Sequence, residues 1–172
     1  MQSRIGYTIF LNGAFTEVFA GLFFGVIDQQ AATLTYWGIS DKRFGLTTMT
    51  DTARFIADVV LDPATLNAVV TVAGDKISMN LIATVPEITT DQTFARNKQG
   101  TDADLLTLIE TIRARDPANV YAYVFFQYKR PMFNGVGKLT APARHHYYGT
   151  PLTTFRDFLT NPDQQYRYQP SL

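Results

Sequence analysis

Apolar residues fall along the chain in short blocks with two alternating periods. Ile5 to Phe10 is β-branched and aromatic and reads as a buried strand. Leu11-Asn12-Gly13-Ala14 is a turn, after which Phe15, Val18/Phe19, Leu22/Phe23 and Val26 recur at helical spacing, with Asn12 as the expected cap. Thr33 to Trp37 and Phe44 to Thr48 predict two strands around the turn-rich Gly38-Ile39-Ser40-Asp41. Asp51 is the expected cap of a helix with Ala53, Ile56, Ala57 and Val60 on its inner face, stopped before Pro63. The run Val69 to Ala73 predicts a strand covered on both faces.

Gly74-Asp75 turns the chain, and Ser78 starts a helix expected to end at Pro86. Thr101-Asp102-Ala103-Asp104 resembles a capping box with Asp at the third helical position, followed by the stripe Leu105, Leu108/Ile109 and Ile112. Val120 to Tyr128 is apolar at nearly every position and fits strand or helix. Gly135-Val136-Gly137 and Pro142 mark a loop, and Thr150-Pro151 predicts a last helix with Leu152, Phe155 and Phe158/Leu159 inward. No repeat or linker breaks the 172 residues, so the expectation is one α/β domain over 1–172.

Composition narrows the chemistry. Lys+Arg and Asp+Glu are 15 each, so a field for nucleic acid or anionic membrane is not expected. The absence of cysteine excludes disulfides, thiolate metal sites and thiol nucleophiles. With only two histidines, His145 and His146, no metal site is expected. The longest apolar runs are far below the ~20 residues of a bilayer span. The N-terminal stretch is a poor signal-peptide core, so a cytoplasmic protein is expected.

Gly135-Val136-Gly137-Lys138 starts like a phosphate-binding loop, but Thr140 stands where the third glycine belongs, and a turn is the better reading. Neither a Tyr-x-x-x-Lys pair nor a Gly-x-Ser-x-Gly elbow occurs. Arg144-His145-His146-Tyr147-Tyr148 combines groups able to act as acid or base, or is a polar loop. Asp102 and Asp104 are either paired carboxylates or helix-start residues. Tyr128-Lys129-Arg130 and Tyr166-Arg167-Tyr168 interleave basic and aromatic groups, but the neutral chain disfavours single-stranded nucleic acid. The phenylalanines from Phe15 to Phe24 form either core or the lining of an apolar cleft.

Four segments in order carry a resemblance. Tyr7 to Phe15 resembles a strand-to-loop segment of the form Thr-Ile-x-x-Asn-Gly-x-Phe. Phe44 to Asp51 with Thr52-Ala53-Arg54-Phe55 resembles an Asp-Ile-Ala-Arg helix start, and Leu61-Asp62-Pro63 with Val72 to Ser78 resembles the segment that follows. Together they resemble the C-terminal, substrate-side half of an NmrA-like, isoflavone-reductase-like atypical short-chain dehydrogenase, over most of Tyr7 to Leu159. The implied fold class is α/β, with partial Rossmann-like sheet strands and a small helical substrate-side domain.

In that family a glycine-rich dinucleotide loop and a lysine implicated in catalysis come earlier, and neither lies in these residues. Pro86 and Asp91 also depart from the family pattern. The resemblance implies NADP or NAD as cofactor, with Asn12, Gly13 and Phe15 facing the nicotinamide and Phe15 and Phe19 lining the substrate cleft. No catalytic residue is carried over, and a small-molecule substrate is implied. The expected function is an oxidoreductase contributing half of a cleft for hydride transfer to a small apolar carbonyl or quinone-like compound. The alternatives are a non-catalytic dinucleotide-sensing or protein-binding module and a remnant without independent activity. A chain of this kind is expected to require a Rossmann half or to self-associate through unpaired strands.

Overall fold

The computed structural model describes residues 5–21, 24–90, 92–139 and 151–161, with the backbone alone over 86–90. Three small sheets and six helices make up the described part. Strand β1 (Thr8–Leu11) pairs in parallel with β6 (Ala68–Thr71). Strand β2 (Ala14–Phe15) lies parallel to β5 (Phe44–Thr47), which runs antiparallel to β7 (Asp75–Ile77). The third sheet joins β3 (Ile27–Asp28), β4 (Thr33–Tyr36) and β8 (Ala95–Lys98), the last parallel to β4. The helices are α1 (Thr16–Ala20), α2 (Met49–Val59), α3 (Met79–Thr90), α4 (Asp102–Arg115), α5 (Tyr121–Asn134) and α6 (Phe155–Thr160).

The β1–β6 pair is half-covered, unlike the buried strands expected at both places. Phe10 and Val70 turn toward α2, where Phe10 meets Phe55 edge-on at 6.2 Å and Val59, Val72 and Leu152 complete a small core. Side chains alternate across a strand, so Ile9 and Val69 point the other way and remain 48 % and 58 % exposed. The inner face of α2 also differs from the expectation. Phe55 and Val59 are buried with Asp51 and Thr52, whereas Ala53, Ile56, Ala57 and Val60 are exposed. The aromatic ring carries more buried area than the small residues it displaces from the interface.

The caps refine several boundaries. Thr48, not Asp51, caps α2, its hydroxyl accepting the Asp51 N–H at 3.0 Å. Helix α1 stops at Ala20, and Phe15 occupies its cap position without a side-chain bond, so Asn12 is no cap. Helix α3 continues through Pro86 to Thr90. Proline removes one ladder bond at a cost of about 3 kcal/mol, which the burial of Ile82 and Ala83 on the preceding turn offsets. The last helix starts at Phe155 under a capping box from Thr154 to Asp157, not at Thr150-Pro151. The box at Thr101 and Asp104 forms as expected, and hydrogen bonds from Thr101 hold the Asp104 carboxyl below its ordinary range. The ambiguous segment Val120 to Tyr128 is helical from Tyr121, with Val120 at the cap position.

The larger core gathers Phe19, Leu34, Phe44, Leu46, Met79, Ile82 and Leu105 with residues from α5 and α6. Beside it, the Glu17 carboxylate is almost fully buried and accepts the Met49 N–H at 2.9 and 3.1 Å, reaching from α1 to the start of α2. Desolvation pushes its pKa above the usual 4.5, partly opposed by its backbone hydrogen bonds. A carboxyl raised in the folded state binds more protons than in the unfolded chain, so its contribution to stability falls as pH rises through that window. Glu17→Gln keeps an acceptor for Met49 and removes the charge. The native chain is therefore expected to lose melting temperature relative to Glu17→Gln as pH rises from 4.5 toward neutrality. A difference in melting temperature that stays constant across that range would contradict this account of Glu17.

Candidate functional site

Strand β1 ends at Leu11, and the next two residues form the floor of a cavity of about 590 Å³. Ligand crevices in open α/β folds lie beyond the carboxyl ends of strands, and this one obeys the rule. Asn12, Gly13, Phe15 and Phe19 all line it. The structure thus brings together the four residues singled out from the sequence.

The floor is fixed from below. Thr47, at the end of β5, is fully buried and donates its hydroxyl to the Asn12 carbonyl at 2.7 Å. Gly13 has φ +70°, and a Cβ there would lie 2.3 Å from the Gly45 carbonyl oxygen. Two backbones pass in contact at this point, which is why glycine stands there. The Asn12 amide nitrogen is buried with no hydrogen-bond partner among the described residues. A buried donor without a partner costs about 1–3 kcal/mol, so an acceptor on a bound molecule would relieve it.

The walls are aromatic. Phe19 is 1 % exposed and touches Phe44 at 5.4 Å, Phe24 at 6.0 Å and Phe155 at 6.1 Å between ring centres. It belongs to the core and the cavity at once, so the two readings of the phenylalanine run are both realised. Phe15 and Tyr128 stand at the exposed rim.

Sequence reasoning left out the opposite wall. Phe125, Tyr128 and Met132 on α5 face the cavity, with Gly45, Gly137 and Leu139 beside them. Their spacing of three and four residues was a helical signal, masked by the apolar residues between them.

Gly135 to Lys138 is a turn, as preferred. Its amides are already used: Val136 N–H donates to Asn134 Oδ1 at 3.0 Å, Gly137 to the Pro131 carbonyl at 2.9 Å, and Lys138 to the Gly135 carbonyl at 3.3 Å. None of these three is free to cradle a phosphate. Asp104 serves its cap, and Asp102 binds Arg130 through two hydrogen bonds of 2.9 Å, so the two are not a working carboxylate pair. That ion pair also takes Arg130 away from stacking on a base. Arg144 to Tyr148, Tyr166 to Tyr168 and Asp91 lie outside the described residues. Among the described residues no helix is long and apolar enough to cross a membrane, and no three metal-ligating side chains gather.

The fold is that of the isoflavone-reductase-like proteins. A solved isoflavone reductase superposes with a TM-score of 0.73 at 18 % identity, over 90 % of this chain and 52 % of that one. The leucoanthocyanidin reductase–NADPH complex from Vitis vinifera gives 0.70 at 16 %, over 91 % and 52 %. An NADPH-dependent quinone oxidoreductase from Escherichia coli gives 0.68 at 16 %, over 92 % and 56 %. The chain spans about half the length of each. No protein-family model matches it, and no curated protein matches it in sequence.

Proposed function

We propose that this chain supplies the substrate-side wall of an NmrA-like, NAD(P)H-dependent oxidoreductase acting on a small apolar carbonyl or quinone-like compound. One observation carries the reading. Asn12, Gly13, Phe15 and Phe19 converge on a single aromatic cavity at the carboxyl end of β1, in a fold shared with NADPH-dependent reductases.

In this reading Asn12, Gly13 and Phe15 hold the nicotinamide end of NADPH or NADH, which supplies a hydride when bound. The unpartnered Asn12 amide fits the carboxamide oxygen of that ring, on a floor that Gly13 holds in contact with the Gly45 backbone. Phe15 and Phe19 hold the substrate. The aromatic walls exclude water from the reacting atoms, which strengthens every polar contact made there. The used amides of Gly135 to Lys138 offer the pyrophosphate no anchor, so cofactor affinity rests on residues beyond this wall.

Calorimetric titration of the chain with menadione, a small quinone, tests the reading. Phe15→Ala and Tyr128→Ala remove rim rings without opening the core, and each is expected to weaken binding about tenfold, or ~1.4 kcal/mol. Unchanged affinity in both variants, or no binding to the native chain, would defeat it.

The exposed apolar residues on β1 and β6, Ile9, Leu11 and Val69, favour a protein partner as well. Each strand has an unpaired side among the described residues, and such edges accept another strand. A Rossmann half, or failing that a second copy, is the expected occupant. Sedimentation velocity over a concentration series should show the isolated chain associating, and association should diminish in the Ile9→Lys, Val69→Lys double variant. A native monomer at every concentration would exclude a second copy as the occupant of these strands.

A further inference from the structure

Lys129 lies on α5 beside the face that lines the cavity, without itself reaching the lining. Phe125 and Met132, four residues before it and three after, are both wall residues, and residues at those spacings are neighbours on a helix surface. Its ammonium sits 5.4 Å from the centre of the Phe24 ring and 5.3 Å from that of Phe126. Phe24 is itself cavity wall and almost fully buried. The neighbouring Arg130 has a carboxylate, Asp102, at 2.9 Å, but no carboxylate among the described residues pairs with Lys129. Burial pushes the Lys129 amine below its ordinary pKa. Two ring faces repay only part of the lost hydration, since a cation–π contact is much weaker than the water it replaces. Among the described residues, this half-buried cation at the edge of an aromatic cavity meets two rings and no counter-ion.

We infer that Lys129 gives this cavity a preference for planar aromatic carboxylates, the ring lying among the phenylalanines and the carboxylate meeting Nζ at the Phe24 end. The ammonium is beside the wall in the present arrangement. Its flexible four-carbon stem lets it turn past the edge of Phe24 toward the cavity. An anion placed there completes an ion pair in a poorly hydrated setting, where charge-assisted hydrogen bonds are about twice as strong as neutral ones. The inference rests on the reading of the cavity as a ligand site, and it narrows the substrate class to aromatic compounds bearing an acid group.

The test compares naphthoate with its neutral isostere naphthylmethanol in calorimetric titrations of the full chain. Naphthoate is expected to bind about tenfold more tightly. Lys129→Met and Lys129→Gln should abolish that preference while leaving naphthylmethanol affinity in place, and Lys129→Arg should restore it. Equal affinities in the native chain, or a preference that survives in Lys129→Met, would overturn the inference and leave the cavity reading standing. Failure of both compounds to bind the native chain would overturn both. The two-ligand comparison on the native chain decides even if a variant does not fold.

Discussion

Replacing Gly13 by alanine is expected to cost about 3 kcal/mol or more, enough to consume a large share of the stability of a domain this size. Two penalties combine. The backbone sits at φ +70°, where a Cβ alone costs roughly 1–2 kcal/mol. The new methyl group would also lie 2.3 Å from the Gly45 carbonyl oxygen and 2.7 Å from its carbon, and neither backbone can move without disturbing the β2–β5 pairing that starts at the next residue. Gly135 is the internal control. Its φ is +86°, but a Cβ there meets first the flexible Lys42 stem, at 3.1 Å. Gly135→Ala should therefore cost only the backbone penalty, roughly 1–2 kcal/mol. Urea denaturation of both variants separates the cases, and equal losses would show that contact with Gly45 does not hold the cavity floor.

Phe19→Ala should be the most damaging change in the aromatic wall. Deleting a buried phenylalanine ring generally costs 3–5 kcal/mol. Phe19 packs on three other rings, while one side already borders the cavity and has less packing to lose. The low end, about 3 kcal/mol, is the expected value. Phe15→Ala at the rim should cost under ~1 kcal/mol of stability, although both changes remove cavity wall. Comparable stability losses would mean that the division between core and rim is misplaced.

The physical reason for what the sequence made legible is visible in these same residues. Asn12-Gly13 after a β-branched run marks a strand ending in a turn, which was legible locally, but the place of these two residues in the site came from the family resemblance and the expected Asn12 cap did not form. The capping box at Thr101 was equally local. The inner face of α2 was not, because Ala53, Ile56, Ala57 and Val60 form as regular a stripe as Phe55 and Val59, and tertiary packing chooses between them. Strand β8 left no trace. Its residues Ala95-Arg96-Asn97-Lys98 are all exposed and pair with β4 through backbone alone. Charged side chains suit such an edge but give no apolar period to detect. The far wall of the cavity depended on whether Val120 to Tyr128 was strand or helix, and the continuous apolar run there hid the period.

Helix α3 shows the opposite failure. Pro86 is a strong local stop signal, yet the helix continues to Thr90. Ile82, Ala83 and the preceding Met79 are buried in the main core, and that burial outweighs one missing hydrogen bond.

We propose that the end of β1 binds the nicotinamide while the aromatic wall beside it binds the substrate. Chemical-shift mapping on the isotopically labelled chain tests both parts in one titration series. Reduced nicotinamide mononucleotide, which carries the reactive ring without the adenosine half, should shift the amides of Asn12, Gly13 and Phe15. Menadione should then shift Phe19, Phe44, Gly45 and Phe125. Shifts clustered away from the cavity, or none with either compound at millimolar concentration, would contradict the account.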